Sequence, residues 1–417
     1  MFDRRRLLGA SLAATALSAS GIRIAFASPV TDKRLVVAIL RGAVDGLTAV
    51  PPIGDPDYAK IRGSLAIAQT AALPLDTTFG LHPAFAQLHE MWVAKQLVVF
   101  HAIASPYRER SHFDGQAALE TGGAKPDGFR DGWLNRALPG AGLADNGRAL
   151  AVAETAPLIL LGKSRAATWM PEILPSADED FLERVRALYA HDPILGRSLS
   201  QALKTEASAR AAMDDPSTAP SAAPVAGAMT ENTGMAMNGQ RPAAGLASLT
   251  ALASGAGKLL AAPDGPRVAV LDFSGWDTHV AEGTTDGTLA RRIAALDAAL
   301  GALKTALGPT WKDTAVIVAT EFGRTVAPNG SGGTDHGTGT VAFLLGGSVA
   351  GGQVRATWGG LKPAELYQAR DLQPHADIRS LFKAGLTDHL TVPRKDLEKT
   401  VFPDSSASPP MQGLFVA

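Results

Sequence analysis

The chain has 417 residues, a formal charge of −1 and no cysteine. That length suits one large domain or two smaller ones. A near-neutral balance without basic clusters excludes an electrostatic grip on nucleic acid, and the missing thiols exclude disulfide staples and thiolate metal sites.

The first element in chain order reads as an export signal. "FDRRRLLGA" sets Arg4, Arg5 and Arg6 before a mildly apolar stretch from Leu7 to Ile22, and Ala25-Phe26-Ala27 supplies a small-x-small cleavage pattern. Consecutive arginines followed by Leu7-Leu8 predict a twin-arginine signal over 1–27. The twin-arginine export machinery is then an expected partner, and the mature protein is expected to be periplasmic or otherwise exported. The apolar run is about 16 residues and is broken by glycine and serine, so no stable membrane span is expected. Without residues 1–27 the chain loses four arginines and one aspartate, and its charge falls to −4.

"KRLVVAILRGAVDGL" opens the remaining part, 28–417. The run Leu35 to Leu40 is continuously apolar, as a strand buried on both faces must be. Segments 95–104, 266–275, 313–323 and 339–347 repeat the design. Helical patterns fill the intervals at 82–95, 114–122 and 288–307. In the last of these, Leu289, Ile293, Leu296, Leu300, Leu303 and Leu307 recur at three- or four-residue steps and make one apolar face. The alternation predicts an α/β three-layer sandwich, a central mostly parallel sheet between helices. One region departs from it. Segments 178–192 and 245–262 are expected to form a small helical cap around a low-complexity stretch, 207–245, whose composition predicts a mobile linker.

In a parallel α/β sheet, ligands bind beyond the carboxyl ends of the strands, and polar residues collect at every such end here. Asp45 follows the first strand. "SPYRERSHFDGQ" follows the second, "GWDTH" with Asp277 and His279 the third, and "TEFGR" with Glu321 and Arg324 the fourth. "GSGGTDHGTG" then carries Asp335 and His336 between glycines. Carboxylates and imidazoles without thiolates suit Zn²⁺, Mn²⁺, Mg²⁺ or Ca²⁺. Ser111 and Asp114 are spaced nearly as a capping box that opens a helix, so Ser111 reads as a cap or as a nucleophile. A helix N-terminus attracts anions, and Arg108, Arg110 and Asp114 are candidate substrate contacts. His112 reads as a ligand, a proton shuttle or the attacking group. His375 and His389 read as surface or turn residues.

"RGAVDGL", "YRERSHFDGQ", "GWDTH", "TEFGRT" and "NGSGGTDHG", in this order behind a twin-arginine signal, resemble the exported bacterial family DUF1501, which is similar to the alkaline phosphatase/sulfatase superfamily. The resemblance implies an alkaline-phosphatase-like sheet between helices with one or two metal ions at the strand ends. It implies Asp45 as the first-strand metal ligand and Asp277 with His279 as the second pair. His112, with Ser111 adjacent, falls at the nucleophile's place. Glu321 stands where that superfamily has the Asp of an Asp-His-Gly, and "DHG" comes fourteen residues later, at 335–337. With no cysteine and no Cys/Ser-x-Pro-Ser-Arg sequence, the formylglycine chemistry of sulfatases is not expected.

The expected function is therefore an exported metal-dependent hydrolase of a small anionic or envelope-derived phosphate or sulfate ester. Asp45, Asp277, His279, Glu321, Asp335 and His336 would hold one or two ions, zinc or manganese before calcium or magnesium. Ser111 or His112 would attack or move protons, and Arg324 would hold the anion. The alternative is a catalytically degenerate, metal-containing binding or assembly protein of the cell envelope.

Overall fold

The computed structural model describes residues 31–144, 148–153, 155–170, 185, 189, 192, 195–214 and 246–416. The expected signal at 1–27, nearly all of 178–192 and the stretch 215–245 lie outside the described residues.

Strands β1 (Arg34–Arg41), β2 (Leu73–Pro74), β3 (Gly80–Leu81), β4 (Leu97–Ala104), β5 (Ala149–Val152) and β6 (Ala166–Trp169) precede β7 (Val268–Ser274), β8 (Thr314–Thr320), β9 (Thr340–Leu345), β10 (Gln353–Arg355) and β11 (Ala376–Asp377). Nine of them form one sheet in the order β10-β4-β9-β8-β1-β7-β5-β6, with β11 paired to β4; β2 and β3 make a separate antiparallel pair. The five strands expected from apolar runs are all present. The four-residue β5 and β6 and the shorter β10 and β11 carry too few apolar residues to stand out in the sequence.

Side chains of β1 show why both faces had to be apolar. Val36, Ala38 and Leu40 enter one core, which the helices Ala86–Val93, Leu246–Ala261 and Thr288–Leu307 cover through Leu88, Leu260, Ile293 and Leu300. Leu35, Val37 and Ile39 enter the other, closed by Leu119, Trp133 and Phe382 of the helices His112–Thr121, Trp133–Ala137 and Ile378–Ala384. This is the expected three-layer sandwich. The helix Leu246–Ala261 is one of its flanking layers, packed through Ala253 and Ala256 against the sheet, and not part of a separate cap. The helix Leu195–Asp214 includes the first residues of the low-complexity stretch.

Strand β9 runs antiparallel to both of its neighbours, β4 and β8, whereas β1, β7 and β8 are mutually parallel and end level, with Arg41 opposite Ser274 and Leu40 opposite Thr320. The β8–β9 connection therefore leaves and re-enters the sheet at one edge. That reversal delivers residues 321–339 to the carboxyl ends of the parallel strands.

His389 is a buried residue, contrary to the surface position expected of it. Its Nε2 lies 2.8 Å from the Arg34 carbonyl and its ring stacks on Phe415. Burial pushes its pKa down to about 4. His101, whose Nε2 lies 3.0 Å from the Val50 carbonyl, is likewise pushed by burial down to about 4. Folded values below the unfolded one mean that the unfolded chain binds more protons between pH 4 and 6.5. Stability is then complete above pH 6.5 and falls as pH drops toward 4, by up to roughly 3 kcal/mol for each histidine. Denaturant unfolding of wild type and His389→Gln across that range checks this. The variant's stability should fall less with acidification, and parallel pH profiles would count against the assignment.

Candidate metal centre

Glycine in "GSGGTDHGTG" permits close backbone contact. A Cβ on Gly333 would come within 2.5 Å of the His279 carbonyl, and one on Gly337 within 2.4 Å of the Arg324 carbonyl. Pressed between these segments, the loop is pinned by Thr325 N to Asp335 O (2.8 Å) and Gly337 N to Gly323 O (2.8 Å). His336 is thereby aimed back at the strand ends.

Three imidazoles meet there. His336 Nε2 lies 2.9 Å from His112 Nε2 and 3.0 Å from His279 Nε2. Asp277 joins both sides: its Oδ1 is 3.0 Å from His279 Nε2 and 3.3 Å from His336 Nε2, and its Oδ2 is 3.4 Å from His112 Nε2. Ligand atoms of His112, Asp277 and His336 all lie within 4.8 Å of one another.

Every Nδ1 in the cluster faces an acceptor. His112 Nδ1 donates to Glu321 (2.9 Å), His336 Nδ1 to the Arg110 carbonyl (2.8 Å), and His279 Nδ1 faces Asp335 (3.4 Å). A donor at Nδ1 leaves a lone pair at Nε2 in the neutral ring, so three lone pairs and a carboxylate converge. They repel unless a proton or a cation lies between them. Metal–nitrogen bonds of about 2.0–2.1 Å in a tetrahedron place ligand atoms about 3.3 Å apart, near the spacing found here. The donor set thus fits a borderline divalent ion.

Electrostatics fit as well. Burial opposes the charge of Asp277, but hydrogen bonds from His112, His336 and Arg324 outweigh it and hold the carboxyl well below its ordinary range. The bonds to Asp277 and Glu321 pull His112 up to about 9, so without a cation the cluster keeps a proton there. Glu321, fully buried, also stays ionised, because bonds from His112, Gln116 and the Gly42 N–H overcome its desolvation. The Asn329 amide and His279 lower Asp335.

The other expected site residues fall elsewhere. Asp45 is a buried cap: Oδ1 accepts from the N–H groups of Leu47 and Thr48, and Oδ2 is held by Arg62, which outweighs the desolvation and keeps it charged. It has no oxygen left for the cluster. Arg324 is also misplaced for an anion, since its buried guanidinium is committed to Asp277 (2.6 Å) and Thr334. It positions Asp277. Arg108 donates to the Ser105 and Tyr107 carbonyls, Arg110 to Gln368 and Asp371, and Asp114 accepts from Tyr107 (3.4 Å). Ser111 takes the N-cap position of the His112–Thr121 helix without a side-chain cap bond. Gln116, four residues after His112 and so on the same helix face, was legible from that spacing. Arg62, Glu282 and Asn329 gave no sequence signal.

The family model described as a protein of unknown function, DUF1501, matches residues 90–401. Among solved structures, the crystal structure of Ps i-CgsB in complex with k-i-k-neocarrahexaose is similar at a TM-score of 0.41 and 12% identity, over 87% of this chain and 72% of that one. The phosphonate monoester hydrolase of Agrobacterium radiobacter is similar at a TM-score of 0.32 and 13% identity, over 87% and 74%. No curated protein matches the chain. Matched over three quarters of its length, the chain belongs to the DUF1501 family.

Proposed function

We propose that the protein is a metal-dependent hydrolase of a phosphate or sulfate ester, with His112, Asp277, His279 and His336 as the ligand set. The observation that carries this reading is the convergence of three Nε2 atoms and one carboxylate, each imidazole facing an acceptor at its Nδ1. Zinc or manganese suits these nitrogen and oxygen donors. Bound there, the ion would polarise an ester oxygen and make a bound water acidic. Glu321, Asp335 and the Arg110 carbonyl fix the imidazoles, and Arg324 fixes Asp277. In the hydrolysis, water oxygen forms the new bond to phosphorus or sulfur, the ester bond breaks, and its electron pair leaves with the alcohol oxygen, which takes up a proton. Ser111, beside His112 at the helix N-terminus, is the candidate residue for attack in place of water.

Because the metal-free cluster holds a proton on His112, cation binding near neutral pH should release it. Titration calorimetry with zinc in buffers of different ionisation enthalpy should show about one proton released per ion. No release would count against His112 as a ligand. Export by the twin-arginine route belongs to the same proposal; cell fractionation of an Arg4→Lys/Arg5→Lys variant should leave it in the cytoplasm.

One observation favours a second reading. Arg108, Arg110 and Arg324 all donate to protein acceptors, so none is offered to a substrate anion. A metal-containing binding or assembly protein of the envelope would need none. Bound metal without turnover across phosphate and sulfate esters would select it.

A further inference from the structure

Glu282 is a fully buried acid outside the ligand set. Its Oε2 accepts from two hydroxyls at once, Thr278 Oγ1 at 3.0 Å and Thr334 Oγ1 at 2.9 Å. A carboxyl oxygen has two acceptor sites, so both are filled. Its Oε1 accepts from Thr48 Oγ1 at 3.3 Å and lies 4.0 Å from the Arg62 guanidinium, which ties the group to the short helix Gly46–Ala49. An apolar side chain of similar volume would fill this space without the cost of burying a carboxyl, so stability alone gives no reason for an acid here.

Its two threonine partners give it a task. Thr278 stands between the ligands Asp277 and His279, and Thr334 comes just before Asp335 and His336. One oxygen therefore spans the two loops that carry three of the four ligands, whose atoms meet with His336 Nε2 3.0 Å from His279 Nε2 and 3.3 Å from Asp277 Oδ1. Arg324 extends the bracket: its Nε donates to Thr334 Oγ1 at 3.1 Å and its Nη1 to Asp277 at 2.6 Å. Other ties between the loops hold less. A backbone bond from Thr334 N to the Thr278 carbonyl (3.1 Å) is a single point about which they can pivot. The half-buried Asn329 amide bonds the His279 carbonyl and Asp335 where water competes for it. The shared carboxyl oxygen adds fixed points away from water.

We propose that Glu282 is a positioning residue of the metal centre, whose carboxyl holds the Asp277–His279 loop and the 334–336 loop at the separation that a small tetrahedral ion requires. The inference deepens the metal-dependent reading and rests on it for the role of the ion; the fixing of the two loops does not depend on it. Metal–ligand distances tolerate only about 0.2 Å, so a loop free to drift loses affinity for the ion before it loses its fold.

Zinc titration calorimetry and amide hydrogen exchange on wild type, Thr278→Val, Glu282→Ala, Glu282→Gln and Leu303→Ala test it. Valine matches threonine in shape and removes only the hydroxyl that Glu282 accepts, so this variant decides the matter if Glu282→Ala fails to fold. Thr278→Val and Glu282→Ala should lower zinc affinity about tenfold. Both should also quicken exchange at the N–H groups of residues 282 and 334, which bond the Gly332 and Thr278 carbonyls. In Glu282→Gln the amide oxygen still accepts from both hydroxyls, so affinity and exchange should match wild type. Leu303→Ala removes a core side chain of the helix Thr288–Leu307; it should lose stability yet keep its zinc affinity, which separates positioning from general weakening. If wild type binds zinc and Thr278→Val and Glu282→Ala bind it equally well, the positioning role is overturned and the metal centre survives. An equal loss of affinity in Leu303→Ala would overturn it too. If wild type binds no zinc while exchange quickens in Thr278→Val and Glu282→Ala alone, the fixing of the loops by Glu282 is confirmed and the metal reading falls.

Discussion

Asp277→Asn is expected to abolish metal retention. The amide keeps an oxygen to accept from Arg324, so the buried guanidinium is not left without a partner, yet the variant loses the charge that the three imidazoles share. A residue that only orients a ligand costs about 10–100-fold in metal affinity when replaced. Loss of the shared carboxylate should exceed that range, while Glu321→Gln, which removes an orienting charge behind His112, should fall inside it. Elemental analysis of purified wild type and both variants, followed by zinc titration, reads the order directly. Equal metal content in wild type and Asp277→Asn would end the assignment of the cluster as a metal centre. Turnover of any ester found to be a substrate should be lost with the metal in Asp277→Asn and restored by added zinc only in Glu321→Gln.

Arg62→Leu should cost the most stability, on the order of 3–5 kcal/mol. Arg62 is fully buried, with its guanidinium on Asp45, on Thr48 Oγ1 (2.7 Å) and on the Thr325 and Val326 carbonyls, and with Glu282 4.0 Å away. Leucine would leave the Asp45 charge buried beside Glu282 with its counter-ion gone. Glu282 behaves oppositely. Burial, then repulsion from Asp45, pushes its carboxyl up to about 9, so at neutral pH it is a neutral carboxyl that accepts from the hydroxyls of Thr48, Thr278 and Thr334. Its folded value lies above its unfolded one. The stability it contributes is present below about pH 4.5 and is lost as pH rises through 9. Glu282→Gln does not titrate, so relative to wild type it should gain stability progressively between pH 4.5 and 9. Denaturant unfolding of the three proteins at pH 5, 7 and 9 tests both statements. A cost below about 1 kcal/mol for Arg62→Leu, or a flat difference for Glu282→Gln, would refute the triad as described.

Much of the molecule is legible in its amino-acid order. Leu35 to Leu40 announce a strand buried on both faces because every residue is apolar, and the three- and four-residue steps from Leu289 to Leu307 give the helix Thr288–Leu307 its bounds. Those are local periodicities, and burial of a whole face leaves no other way to satisfy them. The residue types around the cluster are legible for a related reason. Asp277, His279 and Glu321 follow apolar runs, where a strand must end and its side chains leave the core, and Asp335 and His336 stand just before the next such run begins.

Membership in the cluster was decided by tertiary contacts. Asp45 and Asp277 look alike in sequence, each following an apolar run, yet Arg62, brought alongside by a short helix, neutralises the first, and the second faces three imidazoles. Arg324 reads as an anion contact until the fold surrounds it with Thr334 and Asp277. Direction of β9 decided the rest: by running antiparallel to β8 it returns His336 to the edge where His112 and His279 wait. Sequence determined which groups carry charge, lone pairs and apolar surface. Only the fold determined which of them share a few ångströms, because a charge's chemistry depends on partners that lie 200 or more residues away along the chain, as Glu321 does from His112.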